Sequence, residues 1–147
     1  MNPTAQRALE IRVITALANH ERLLQQVGQM KKQIGAHLAE CPVMKKASDW
    51  SISAQEAKEV YDEKTGRVKT HLWGAFNELI EGSHGMVRMN LDDQENYLTD
   101  PWCDETRCDH CYAAWRVIQD RREVRQELGQ ARRALRMLGK SALKVVS

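Results

Sequence analysis

The chain is predicted to be all-α: a long antiparallel helical hairpin clamped by a four-cysteine zinc site, with a short-helix insert. Three observations lead there. Only eight of the 147 residues are aromatic, and Ala and Leu supply much of the 42% apolar content, a balance that suits packed helices better than sheet. Apolar residues recur at three-four spacing over two long stretches, one towards each end of the chain. Three of the four cysteines, Cys103, Cys108 and Cys111, fall within nine residues. At this length one core can bury about two thirds of the unfolded surface, so a single domain over 1–147 is expected.

The first element occupies residues 1–41. From Thr4 to about Leu38 there is no proline, and Leu9, Val13, Ala16, Leu17, Leu23, Leu24, Val27, Met30, Ile34 and Leu38 mark one amphipathic helix, about 50 Å long. Cys41 falls on the next step of the same series. His20 interrupts the stripe and reads as a partly buried histidine with a local partner.

The insert covers residues 42–102. Pro42 closes the first helix. Ser53-Ala-Gln-Glu56 has capping-box spacing and opens a short helix to about Tyr61, and Asp62 to Gly66 reads as a turn. Thr70 caps a helix to about Glu81 that Gly82 terminates, with Leu72, Trp73, Phe76, Leu79 and Ile80 forming a face that covers the long-helix pair. Met86 to Leu91 reads as a short extended segment and Asp92 to Tyr97 as a helical turn.

Residues 103–147 hold the cysteine cluster and the second long helix. Ala114, Val117, Ile118, Val124, Leu128, Ala131, Leu135 and Leu138 keep three-four spacing, with Arg121 as a polar intruder. Gly139 or Lys140-Ser141 is the expected stop, leaving Val145-Val146-Ser147 frayed. Two long helices at opposite ends of a short chain fold most simply as an antiparallel pair.

Cys108 and Cys111 form a C-x-x-C pair, the spacing at which a turn lets two thiolates share one metal, and Cys103 lies five residues upstream. Zinc takes four ligands, and Cys41 ends the first helix where an antiparallel partner starting near Cys111 brings its own first turn. A Cys41/Cys103/Cys108/Cys111 site therefore pins the helices together. His110 is an alternative ligand, although its position next to Cys111 makes reaching the same ion difficult. The other readings are buried free cysteines, or a redox pair, which the lack of a βαβ pattern disfavours. With every position filled by protein the Zn2+ is structural. Phosphate-loop, G-x-S-x-G and H-E-x-x-H signatures are missing, and Glu81 to His84 fixes no catalytic geometry, so no enzyme is expected.

Charge is distributed unevenly. Residues 92–109 carry one basic and seven acidic side chains, whereas residues 116–144 carry nine basic and three acidic. On the last helix Arg122, Arg125, Arg132, Arg133, Arg136 and Lys140 recur away from the apolar stripe, with Arg116 and Arg121 nearby. They form a solvated face, a complement to Asp92–Asp109, or a surface for a partner. A protein partner is favoured over nucleic acid, because the face lacks aromatic residues for stacking and no helix-turn-helix pattern places it in a groove. The stripe on the first helix is wide, taking in both Leu23 and Leu24, which favours a homodimer through the long helices. No stretch approaches the ~20 apolar residues of a membrane span, and Arg7, Glu10 and Arg12 stand where a signal peptide has its apolar run, so a cytoplasmic, reducing location is expected.

The run Cys108-Asp-His-Cys111-Tyr-Ala-Ala-Trp-Arg-Val-Ile-Gln-Asp-Arg-Arg, continuing through Leu128-Gly-Gln-Ala-Arg-Arg-Ala-Leu-Arg-Met-Leu-Gly139, resembles the C-terminal region of small uncharacterised proteins encoded by tailed phages and prophages of Gram-negative bacteria. The likeness covers about 30 residues, and its distinctive element is a C-x-x-C opening an arginine-rich helix. It implies a phage accessory protein acting inside a bacterial host, on transcription or defence, and it transfers no catalytic residue.

Overall fold

The computed structural model describes residues 2–146. Six helices and one two-stranded ribbon follow in order: α1 (Pro3–Ala39), α2 (Pro42–Ala47), α3 (Ala54–Val60), α4 (His71–Asn77), β1 (Leu79–Gly82), β2 (Gly85–Arg88), α5 (Leu91–Thr99) and α6 (Asp109–Val146). The all-α expectation holds, and α1 packs against α6. By contact the chain divides into two compact units, Met1–Lys31 with Gln119–Ser147, and Lys32–Ile118.

The first unit is a pair of helical arms running antiparallel. Leu23 of α1 is buried among Val124, Leu128 and Ala131 of α6, with Val27 and Met30 packed alongside. Burying a leucine side chain in this way contributes about 1.5–3 kcal/mol. Arg121, the intruder in the α6 stripe, is half-buried because its Nε–H finds an acceptor, donating to the Val27 carbonyl at 3.3 Å. Where a stop was expected at Gly139, α6 continues to Val146. Gly139 costs the helix about 1 kcal/mol relative to alanine, but Ala142 and Val145 extend the apolar period beyond it. Both residues border a cleft shared with Leu9 and Val13, so packing outweighs the local breaker. Ser147, the last residue of the expected frayed end, lies outside the described residues.

In the second unit the end of α1 (Ile34, Leu38) and the start of α6 (Ala114, Trp115, Ile118) share a core with Leu72 and Ala75 of α4 and Leu98 of α5. Pro42 does end α1, and it also opens α2 at a position where its missing N–H leaves no bond unmade. Ser53 caps α3 by accepting from Glu56 N–H at 3.1 Å. The Asp62–Gly66 turn forms with Gly66 at φ +69°; Asp62 accepts from the Thr65 hydroxyl at 2.6 Å, which holds its carboxyl below the usual range.

The expected helix from Thr70 to Glu81 is shorter. Thr70 caps α4 as read, accepting from Trp73 N–H at 3.1 Å, but α4 ends at Asn77. The next residues pair antiparallel with Gly85–Arg88, Ile80 opposite Val87. β-Branched residues favour the extended form, and Gly85 at φ +124° supplies a turn conformation that side chains rarely adopt. Leu79 and Ile80 therefore lie on β1 and not on the helical face expected of them. The extended reading of Met86 onward is met by β2, and the helical turn lengthens to α5. There Asn90 and Asp93 form a reciprocal capping box.

Candidate metal centre

Four potential ligands converge in the second unit: Cys41, His71, Cys108 and Cys111, whose ligand atoms all lie within 4.8 Å of one another. Each is delivered by a helix terminus. Cys41 occupies the break between α1 and α2; its backbone N–H is held by the Leu38 carbonyl at 3.0 Å, and its side chain takes no part in capping α2. Its thiol is thus free to face the cluster. His71 is the first residue of α4, fixed by the Thr70 cap and by burial of Leu72 and Ala75 behind it. Its Nδ1 lies 3.3 Å from Cys41 Sγ.

Cys108 and Cys111 bracket the first turn of α6. The Cys108 carbonyl accepts Tyr112 N–H at 2.9 Å, and its Sγ accepts Cys111 N–H at 3.4 Å. Sulfur at this position meets the positive end of the helix dipole, which favours thiolate. Cys41, Cys108 and Cys111 are buried and His71 is half-buried.

The protonation pattern follows from contact between the Cys41 and Cys111 sulfurs first, and from burial second. The Cys111 thiol hydrogen-bonds Cys41 and, with help from His71, holds Cys41 well below the ordinary thiol range. That same bond, together with burial, pushes Cys111 up, and burial raises Cys108. Ionising all three sulfurs this close together requires a cation to offset their mutual repulsion. Three sulfurs and one imidazole form a soft-to-borderline donor set, which suits zinc-like ions and not the oxygen-seeking Mg2+ or Ca2+. A tetrahedral site with ~2.3 Å metal–sulfur bonds has sulfur–sulfur edges of ~3.8 Å, within the observed spread. The cluster is compatible with a metal site.

Three of the four expected cysteines are therefore brought together, and Cys103 is not. Between Cys103 and Cys108 the chain closes on itself. Arg107 ion-pairs with Asp104 at 2.8 Å and donates to the Pro101 carbonyl at 3.1 Å, while Cys108 N–H is anchored to Leu98. This loop leaves Cys103 beside Ile80, Met89 and Tyr97 in a separate cleft. His71 takes the place it was expected to fill. His110, the alternative ligand, is exposed on α6 and stays outside the cluster. No spacing motif marks His71; the available signal was its position directly after the Thr70 cap.

The basic residues expected to meet a partner, Arg122, Arg125, Arg132, Arg133, Arg136 and Lys140, are all exposed on the α6 arm of the first unit. Among the described residues the ion pairs are Lys45–Glu40, Lys46–Glu56 and Arg107–Asp104, none of which engages these side chains. Arg122 donates to Gln119 at 3.0 Å. Among the described residues no helix is long and apolar enough to cross a membrane.

Comparison with protein-family models, with curated proteins and with solved structures finds no match to this chain.

Proposed function

We propose that this protein is a non-enzymatic, zinc-stabilised helical module that acts by binding a protein partner through the basic face of α6. The observation that carries the reading is the closed donor set. Cys41, His71, Cys108 and Cys111 lie close enough together to serve one ion, and as zinc ligands they would fill all four of its positions, leaving none for the water or substrate of a catalytic site. The ion's work is then to join α1, α4 and α6, and its binding free energy is folding free energy. Function passes to the surface, where the α6 cations stand exposed without carboxylate partners among the described residues. That the partner is a bacterial host protein is part of the proposal, and is what the resemblance of the C-terminal run to phage proteins implies.

A second reading, a nucleic-acid-binding regulator, rests on the same arginines, whose planar forks suit phosphate as well as carboxylate. The test is capture from nuclease-treated bacterial lysate by wild-type protein and by Arg125→Glu/Arg132→Glu/Arg136→Glu. A protein retained by the first and lost by the second, after nuclease, supports the proposal. Capture that disappears with nuclease, with sub-micromolar binding to a defined nucleic acid at physiological salt, favours the second reading.

A further inference from the structure

The first unit leaves apolar side chains uncovered beside its arginines. Ile14 is 66% exposed, Leu17 53% and Leu24 37%. At about 100° per residue they lie roughly 60–140° round α1 from the stripe that packs on α6. On α6 the basic residues occupy a sector beginning about 80° round from buried Val124 and extending about 100° further, and no carboxylate interrupts it. Glu123 and Glu127 fall on the opposite flank. In an antiparallel pair of right-handed helices, the same sense of rotation from the contact line leads to the same side. The α1 aliphatics and the α6 arginines therefore border one groove. The cleft of 380 Å³ lined by Glu10 and Ile14 of α1 with Ala142 and Val146 of α6 is its open end.

We infer that this groove receives an amphipathic helix of a protein partner, seated on Ile14, Leu17 and Leu24, with a row of carboxylates along the edge that meets Arg125, Arg132 and Arg136. The inference rests on the protein-partner reading above and supplies the chemistry of that partner. Two helices bury only one stripe each, and a third helix laid in the groove is the ordinary way to cover the flanks. Charge selects the occupant. A nucleic acid or an anionic lipid surface would meet the arginines but also Glu10 and Glu21, which share the α1 flank with the aliphatics. A phosphate backbone also gains nothing from three aliphatic side chains. A partner helix satisfies both edges with acids over α6 and bases over α1.

The test uses the full-length protein and two labelled heptad-repeat peptides with leucine at the seam: one with Glu along one edge and Lys along the other, one with Lys along both. The first is expected to bind at least about tenfold more tightly than the second. Leu17→Asp/Leu24→Asp, at exposed positions where helicity is retained, lowers that affinity about a hundredfold. Arg125→Glu/Arg132→Glu/Arg136→Glu reverses the preference. Equal binding of the two peptides, or no saturable binding at about 100 µM, overturns the inference. So does tighter binding of duplex DNA or phosphatidylserine vesicles, or a homodimer that blocks the peptide. If the arginine variant loses the lysate partner while Leu17→Asp/Leu24→Asp keeps it, the groove assignment fails and the basic-face reading stands.

Discussion

Gln94 accepts the indole N–H of Trp115 at 2.9 Å, and its own amide donates to the Met89 carbonyl at 3.2 Å, both bonds in a buried setting. One side chain thereby satisfies a donor on α6 and an acceptor at the entrance to α5. Gln94→Leu leaves both groups buried without a partner, at a cost of about 1–3 kcal/mol. Gln94→Glu keeps the acceptor for the indole but loses the donor and places a charge in the core. Urea unfolding is expected to rank wild type above both variants; an unchanged midpoint would show the relay to be dispensable.

Metal loading separates the two competing ligand sets. Cys103→Ser is expected to retain about one equivalent of zinc by elemental analysis, whereas His71→Ala, Cys41→Ser and Cys108→Ser lose most of it together with stability. Loss of metal from Cys103→Ser with full loading of His71→Ala would return the site to its four-cysteine form.

The Tyr97 hydroxyl gives a pH signature. Burial, and then its 3.0 Å hydrogen bond to Glu78, raise its pKa above the ordinary value of 10.0. A raised pKa in the folded state means that the stabilisation is complete below about pH 10 and is lost as pH rises through the folded value. Wild-type stability is expected to fall more steeply above pH 10 than that of Tyr97→Phe. Parallel curves from the two proteins would reject the assignment.

Gly74 and Gly139 are expected to respond to alanine in opposite directions. A Cβ on Gly74 collides with the Tyr97 hydroxyl, whereas one on Gly139 meets nothing within 4 Å. Gly74→Ala is expected to destabilise and to break the Tyr97–Glu78 bond. Gly139→Ala, in a helix interior, is expected to stabilise by about 1 kcal/mol. Thermal melts of the two variants moving in the same direction would contradict this.

What could be read from residues alone follows the reach of each signal. The stripes of α1 and α6 were legible because a 3.6-residue period repeated over ten turns outweighs single intruders such as Arg121. The Ser53 and Thr70 caps were legible because capping is local. The end of α4 was not, since Leu79 and Ile80 fit a helical face as well as a strand, and the partner that decides, Met86 and Val87, lies across a turn. Cys108 and Cys111 carry their own spacing and Cys41 its helical register. His71 carries neither, being placed by the packing of Leu72 and Ala75, and Cys103 was misassigned because closeness along the chain is not closeness in space.

The burial of Leu23 by Val124, Leu128 and Ala131 has a consequence for the newborn chain. At about 5–20 residues per second, the roughly hundred residues between them take on the order of 5–20 s to synthesise. For the later part of that interval α1 has left the ribosome with its stripe wet, and Cys41 waits on Cys108 and Cys111 to complete its ligand set. A chaperone that holds amphipathic helices would find its substrate in this window, and slow codons upstream of α6 would lengthen it.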